Sequence, residues 1–220
     1  MEKEIEYREL YRLQDDVLSL VAGLDNAFYL TGGTALHRFY YGARYSDDLD
    51  FFVSNSATFK EDIDEILESM ETHGLQYEIS VSTRDFYRIV VNNFLQIDFV
   101  NDRVYRYGKS KLFDGIRVDN KFNILTNKIN TIINRDEEKD VFDLFCLAYN
   151  EEFDWQQIWE EANKKALIDK DIFVYRLKTF PLEWIGRIRK IKDLKITPGD
   201  IDTLCDDVIY EKRNSLKKED

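Results

Sequence analysis

The hydrophobic pattern changes character near residue 121, and this change limits the folds open to the chain. Before it, strand-like runs alternate with helix-like runs, and after it only helix-like runs follow. Strand patterns cover 27–31, 48–53, 77–82, 86–91 and 94–100. Helical spacing covers 3–22, 59–73, 121–134, 138–149, 155–166, 171–178, 183–192 and 199–213. The pattern predicts an α+β (α/β) fold, with a small mixed sheet and helices in residues 1–115 and a helical half in 116–220.

Composition narrows the function classes. The chain is 44% hydrophobic and 14% aromatic, enough for a sizeable core. Its net charge of −12 argues against a general salt-driven nucleic-acid binder but leaves room for a local basic face. The two cysteines form no CxxC or Cys/His cluster, which argues against zinc. No leader peptide and no long apolar run are apparent, so we expect a cytoplasmic protein without a membrane span.

A glycine turn follows the first strand-like run. Gly32 and Gly33 precede Thr34 and a helix-like stretch. Glycines let a backbone approach a phosphate closely, and the start of a helix offers free N–H groups. Thr34 is expected to begin the helix, where its hydroxyl can cap it or hold a phosphate oxygen. An ordinary strand–turn–helix joint has the same pattern.

A pair of carboxylates opens the next strand-like run. Residues two apart on a strand face the same side, so Asp48 and Asp50 are expected to project together while Leu49 and Phe51 face the core. Such carboxylates repel one another unless a cation lies between them, and they suit Mg²⁺. A solvated acidic patch at a strand end is the alternative.

A third carboxylate lies inside an apolar run. Asp98 follows Ile97 and precedes Phe99, where an aspartate is costly without a partner or solvent. A neighbouring strand carrying Asp48 and Asp50 would give Asp98 a shared metal ion. The alternative is a strand with Gln96 and Asp98 on a wet face.

Together these segments resemble the DNA-polymerase-β-type nucleotidyltransferases, and among them the AbiEii/AbiGii toxins of type IV toxin–antitoxin systems. The residues that carry the resemblance are the segment from Leu30 to Arg38 and the segment from Arg44 to Phe51. The family pattern is a glycine turn, about a dozen residues, Asp-x-Asp on a strand and a later strand carboxylate.

A second block is similar to the same toxins. It has Lys128, then Arg135 seven residues on, and then the basic-Asp-x-x-Asp pattern of Lys139, Asp140 and Asp143. Lysine at 139 departs from the more usual arginine and puts bidentate geometry there in doubt. Without the resemblance, Lys128 reads equally well as a surface lysine, and Asp143 as the partner of Lys139.

The resemblance implies transfer of a nucleoside monophosphate from an NTP to an acceptor hydroxyl. Asp48, Asp50 and Asp98 would hold Mg²⁺ or Mn²⁺, and Lys128 and Asp143 would complete the catalytic set. Asp143 and Lys128 are expected to lie near each other or near a bound phosphate. The nucleotide-binding residues implied are Gly32, Gly33, Thr34, Arg44, Ser46 and Lys128.

The resemblance also implies partners, namely an RNA acceptor such as the 3′ end of a tRNA and a cognate antitoxin. Two segments offer basic residues for RNA: Arg103 to Lys111, with four basic residues and two tyrosines, and Arg176 to Lys195, with seven basic residues and two acidic ones. Both read equally well as solvated surface. The rival functions are nucleotidylation of a small molecule such as an antibiotic, and non-catalytic nucleotide binding.

Overall fold

The computed structural model describes residues 2–218, with side chains from Tyr7 onward. The chain divides into two compact units. Unit 1 runs to residue 39 and includes 45–104 and 109–119, whereas unit 2 comprises 40–44, 105–108 and the chain from 120 on. The predicted domain limit at 115/116 stays a prediction, although residues 116–118, assigned there to the helical half, belong to the sheet of unit 1.

Unit 1 is built on a seven-stranded mixed sheet. Its strands are β1 (Tyr29–Thr31), β2 (Leu49–Ser54), β3 (Tyr77–Ser82), β4 (Phe86–Val91), β5 (Leu95–Asp102), β6 (Lys111–Phe113) and β7 (Ile116–Val118). They lie in the order β3-β4-β5-β2-β1-β7-β6. The pairs β2–β5 and β1–β7 are parallel, and the other neighbours are antiparallel.

The helices of unit 1 are α1 (Glu2–Gly23), α2 (Gly32–Leu36) and α3 (Phe59–Thr72). A π-helix (His37–Tyr41) follows α2, and its last two residues are assigned to unit 2. Alternating residues of the central strands are buried with apolar stripes of α1 and α3. An aromatic cluster anchors this core, in which Phe28 packs against Phe59 and Phe99, and Phe51 stacks on Phe99. One face of the sheet is therefore apolar because the strands alternate with period two.

Unit 2 is helical. It contains α4 (Lys121–Asn134), α5 (Glu138–Asn150), α6 (Trp155–Asn163), α7 (Lys170–Thr179), a 3-10 helix (Leu182–Arg187) and α8 (Pro198–Ile209). Side chains of Asn120, Asp154, Asp169 and Thr197 accept hydrogen bonds from the first turns of α4, α6, α7 and α8. Every residue of α5 from Asp140 to Tyr149 is buried, as expected of a helix surrounded by others.

The predicted fold class is confirmed, and the differences are local. The bounds of β3, β4 and α4 match the prediction, and Asn92 and Asn93 adopt the positive φ angles of a tight hairpin turn. The short strands β6 and β7 were not predicted, and helical structure in 183–192 is only the 3-10 helix that ends at Arg187. No helix within residues 2–218 is long and apolar enough to cross a membrane.

Candidate active site

A row of polar side chains crosses the central strands of unit 1 on the face opposite the core. Thr31 on β1 pairs with Asp50 on β2, Asp50 with Asp98 on β5, and Asp98 with Arg88 on β4. Directly paired residues of neighbouring strands project to the same side of a sheet. We call these four residues the polar row. The prediction that Asp98 shares a sheet face with Asp50 is confirmed by this register.

Within the polar row, Arg88 binds Asp98 through two parallel hydrogen bonds. Nε donates to Oδ1 and Nη2 to Oδ2, each at 2.7 Å. The hydrogen bond to Asp98 is the main reason why the pKa of Arg88 is raised, and the charges of Asp98, Asp50 and Asp48 add to it. The side chain of Arg88 is 38% exposed and that of Asp98 is 12% exposed. Arg88 therefore places one positive charge beside Asp98, the immediate neighbour of Asp50 in the sheet.

Asp50 lies directly against the glycine turn. Gly32 has a φ of +71°, and a Cβ added there would lie 2.5 Å from Oδ2 of Asp50. Glycine is required at position 32 for two reasons. The backbone conformation disfavours any side chain, and the Asp50 carboxylate occupies the space that a Cβ would need. Beside it, Thr31 donates to the fully buried Asp119 at 2.8 Å. The turn is thereby fixed against the carboxylate strand.

Thr34 does not begin the helix as predicted, since α2 begins at Gly32 and Thr31 is its N-cap residue. The hydroxyl of Thr34 donates to the backbone oxygen of Asp48 and lies 2.7 Å from Oγ of Ser46. Thr34 and Ser46 are both buried. In this structure both hydroxyls join α2 to the segment that carries Asp48, and their predicted contact with a nucleotide stays a prediction.

The donor set of the polar row suits a hard divalent cation, because all its candidate ligands are carboxylates. Asp50 and Asp98 are immediate neighbours, and Asp48 directly precedes β2. Among the side chains that the structure describes, however, no group of three or more Asp, Glu, His or Cys is arranged to hold a metal ion. Asp98 is bound by Arg88 instead. The predicted three-carboxylate metal site stays a prediction.

Unit 2 contains a charged cluster, formed by the buried residues Arg44, Lys128, Asp140 and Asp143 and by the exposed Arg135. Arg44 donates to both oxygens of Asp143 at 2.7 and 2.8 Å. Lys128 lies 2.7 Å from Asp140 and 2.7 Å from Asp143, and Arg135 bonds Asp140 at 2.7 Å. The side chains of Arg44 and Asp143 are 3% and 0% exposed. The predicted proximity of Lys128 and Asp143 is confirmed.

The cluster keeps its members charged despite burial. Burial alone would lower the pKa of Lys128, but Asp143 and Asp140 more than offset it, so this pKa is raised. Burial alone would raise the pKa of Asp140, but Lys128 and Arg135 hold it below its usual value. Lys128 is therefore no surface lysine, and Arg44, expected at the nucleotide, is held by Asp143 within unit 2. Their roles in catalysis or nucleotide binding stay predictions.

Some of the basic residues proposed for RNA are engaged within the protein. Arg103 binds Asp85, Arg176 binds Asp136 and Lys178 lies 3.5 Å from Asp202. Arg187 is exposed and stacks over Trp184, with its guanidinium 4.4 Å from the ring centre. The segment from Arg176 to Lys195 therefore combines an exposed arginine with an aromatic ring.

Sequence reasoning missed Arg88 and Asp119. Arg88 is the only charged residue in the apolar run from Phe86 to Val91. The same signal drew attention to Asp98, so a lone charge in an apolar strand was available here too. Asp119 gave no such signal, because it follows a strand that was not predicted.

A glycine turn packs on a carboxylate strand, and a second carboxylate lies in register beside it. The chain belongs to the AbiEii family, since residues 17–217 match the family described as nucleotidyl transferase AbiEii toxin of type IV toxin–antitoxin systems. No protein with a curated description matches the sequence.

Two solved structures are similar in fold. JHP933 from Helicobacter pylori has 20% identity and a TM-score of 0.51, over 82% of this chain and 76% of that one. MenT4, a nucleotidyltransferase toxin from Mycobacterium tuberculosis, has 17% identity and a TM-score of 0.50, over 86% of this chain and 70% of that one. At these identities the likeness shows the fold alone.

Proposed function

We propose that this protein transfers a nucleoside monophosphate from an NTP to a hydroxyl group of RNA, as the toxin of a type IV toxin–antitoxin pair. The observation that carries the proposal is the register of Asp50 beside Asp98 on one sheet face, with the Gly32 turn packed on Asp50. Family membership supplies the reaction class. Because NTPs and RNA are cytoplasmic, we place the reaction in the cytoplasm.

In this proposal the three carboxylates have different roles. Asp48 and Asp50 would hold Mg²⁺ or Mn²⁺, which would supply positive charge to the triphosphate while the nucleoside monophosphate passes to the acceptor hydroxyl and pyrophosphate leaves. Asp98 accepts the proton of the attacking hydroxyl or helps to hold a second ion. The backbone of Gly32 and Gly33 lies at the phosphates, and Thr34 and Ser46 keep Asp48 in place through their hydrogen bonds.

The charged cluster of unit 2 supports a role in binding phosphate. It has three cations, Arg44, Lys128 and Arg135, against the two carboxylates of Asp140 and Asp143, so these five side chains carry a net charge of about +1. We propose that this excess charge attracts the NTP, with Lys128 as the contributing cation and Asp143 as the residue that orients it.

Labelling with each of the four NTPs, total RNA and Mg²⁺ or Mn²⁺ tests the reaction. We expect labelled RNA with wild type and a loss of at least about 100-fold with Asp48→Ala or Asp50→Ala, because electrostatic stabilisation by the metal is lost. RNA whose 3′ hydroxyls have been oxidised with periodate is the matched control and is expected to stay unlabelled if the 3′ end is the acceptor. Label on a small molecule and none on RNA would contradict the proposal, as would no product with any NTP.

Charge reversal tests the RNA surface. Two variants are tested separately: one changes Arg187, Arg189 and Lys190 together to Glu, and the other changes Arg106 and Lys109 to Glu. Each variant is expected to lower RNA labelling and to make labelling less dependent on salt concentration. Unchanged labelling in both sets would rule out these segments as the acceptor surface. The change Lys217→Glu is a suitable control, since Lys217 pairs with Glu152 outside both segments.

A cognate antitoxin is the proposed partner. Expression of the chain alone is expected to slow bacterial growth, and Asp50→Ala is expected to abolish this effect. Restored growth when the neighbouring reading frame is coexpressed would support the pair. Equal toxicity of wild type and Asp50→Ala would contradict the catalytic basis of the effect.

A further inference from the structure

We infer that Arg88 is a positioning residue that holds Asp98 and must release it before Asp98 can bind a divalent cation. This inference rests on the proposed function, because it assigns Asp98 to the metal site. It adds a specific competitor for the metal, supplied by a neighbouring strand. Nothing in the sequence resemblance assigns a role to this arginine.

Geometry is the first support. Arg88, Asp98 and Asp50 follow one another across β4, β5 and β2 as directly paired residues of one sheet face. The guanidinium uses Nε and Nη2 to cover both oxygens of Asp98 at 2.7 Å. When both oxygens of a carboxylate accept hydrogen bonds from a guanidinium, the positions at which they would best bind a metal ion are already occupied.

Charge is the second support. Three carboxylates close together repel one another unless a cation balances them. Arg88 is hydrogen-bonded to Asp98, the neighbour of Asp50 in the sheet, so its guanidinium places one positive charge beside these carboxylates. A divalent cation would supply the same balance more strongly, and the two positive groups would then repel each other. Metal binding and the Arg88–Asp98 pair are therefore alternatives.

Exposure is the third support, because it decides whether the pair can open. The side chain of Arg88 is more than a third exposed, so a guanidinium that leaves Asp98 can be solvated. It also lies 5.5 Å from the ring centre of Phe86, which offers a face on which the released cation can rest. Opening the pair therefore leaves no cation buried and unpaired.

A Mn²⁺ titration without NTP tests the inference. Binding is measured by electron paramagnetic resonance, in which the signal of free Mn²⁺ decreases as the ion binds. Arg88→Ala is expected to tighten Mn²⁺ binding by about tenfold, because a nearby positive charge is removed and Asp98 becomes a ligand. Arg88→Lys is expected to lie in between, since lysine keeps the charge but cannot hold both oxygens. If Arg88→Ala does not fold, Arg88→Lys alone tests the inference.

Two controls make the result specific. Arg103→Ala breaks a similar two-bonded pair with Asp85 in the same unit and is expected to leave Mn²⁺ affinity unchanged. In an Asp98→Asn background, Arg88→Ala is expected to give little gain, because the ligand it frees is missing. A gain no larger than that of Arg103→Ala, or one that persists in the Asp98→Asn background, would overturn the inference.

The same experiment separates this inference from the proposed function. Suppose that wild type binds Mn²⁺, that Asp48→Ala abolishes this binding and that Arg88→Ala does not change it. In that case only the role of Arg88 is overturned. If neither wild type nor Arg88→Ala binds Mn²⁺, with or without NTP, the metal site of the proposed function is overturned and the inference falls with it.

Discussion

Arg88 with Asp98 in unit 1 and Arg44 with Asp143 in unit 2 make nearly the same contact. Both arginines donate from Nε and Nη2 to the two carboxylate oxygens, at 2.7 to 2.8 Å. Their surroundings differ, since Arg88 is partly exposed while Arg44 and Asp143 are buried and Lys128 adds a second cation. The same bond is therefore exchangeable in one place and fixed in the other.

The reason lies in desolvation. Breaking a buried pair leaves a charge without water or partner, which costs about 3–5 kcal/mol, whereas an exposed pair contributes about 0–1 kcal/mol. A binding site needs groups that can change partners, and a scaffold needs groups that cannot. Exposure of the arginine, rather than hydrogen-bond geometry, distinguishes the Arg88–Asp98 pair from the Arg44–Asp143 pair.

The largest expected effect comes from breaking the buried pair. Asp143→Ala removes the acceptor of two Arg44 hydrogen bonds and one of the two carboxylates beside Lys128, so we expect the free energy of unfolding in urea to fall by about 3–5 kcal/mol. Asp98→Ala is the matched variant in the open pair and is expected to cost about 1 kcal/mol. Equal losses would show that burial does not distinguish the two pairs.

Gly32→Ala tests how tightly the polar row is held. The new methyl group would displace Asp50, and we expect RNA labelling to fall about 100-fold, as a shift near 1 Å can cause. Gly74→Ala is the control, because Gly74 has a φ of +73° but nothing within 4 Å of its added Cβ. Both variants carry the backbone cost, and only Gly32→Ala is expected to lose activity. Similar activities would contradict the close approach.

The pH dependence of the free energy of unfolding tests whether Asp140 in the charged cluster is ionised. The pKa of Asp140 in the folded protein lies below its ordinary value of 3.8, so its stabilising effect is present above about pH 3.8 and is lost as pH falls through the lower folded value. Asp140→Asn is therefore expected to cost about 1.5–3 kcal/mol at pH 7. That difference should shrink below pH 3.8 in urea denaturation. A pH-independent difference would argue against an ionised Asp140.

The smallest expected effect belongs to the most exposed pair of the comparison, Arg103 with Asp85. Both side chains are at least a third exposed. Arg103→Ala is expected to leave the free energy of unfolding nearly unchanged, because water replaces the lost contact at an exposed pair, and to leave Mn²⁺ affinity unchanged. A clear change in Mn²⁺ affinity would weaken its use as a control for Arg88.

The sequence predicted one half of the polar row well. Period-two alternation placed Asp50 and Asp98 opposite the core, and their adjacency follows because β2 and β5 run parallel and in register. Arg88 carried the same local signal as Asp98, a lone charge in an apolar strand, but its pairing with Asp98 depends on the strand order and on the register across the hairpin. That information resides in the assembled sheet and not in any local pattern.

Two residues of one motif make different contacts in the structure. Arg44 binds Asp143, whereas Ser46 lies beside Thr34, and the expectation that both contact the nucleotide stays a prediction. The helix start at Gly32 was missed for a simpler reason. The left-handed φ of Gly32 turns the chain early, so that Thr34 lies inside the helix and faces Ser46. Such a backbone angle cannot be read from the letters Gly-Gly-Thr.

The pairing of β1 with β7 has a consequence for synthesis of the chain. Thr31 and Asp119 are hydrogen-bonded across 88 positions of sequence, and Leu30 pairs with Val118. The glycine turn therefore lacks its supporting strand until the ribosome has released residue 119. Domains form as whole units during translation, and contacts across long sequence separations form slowly. A nascent chain that stops short of β7 carries Asp48 and Asp50 but has no finished frame to hold them, so premature termination yields an inert fragment.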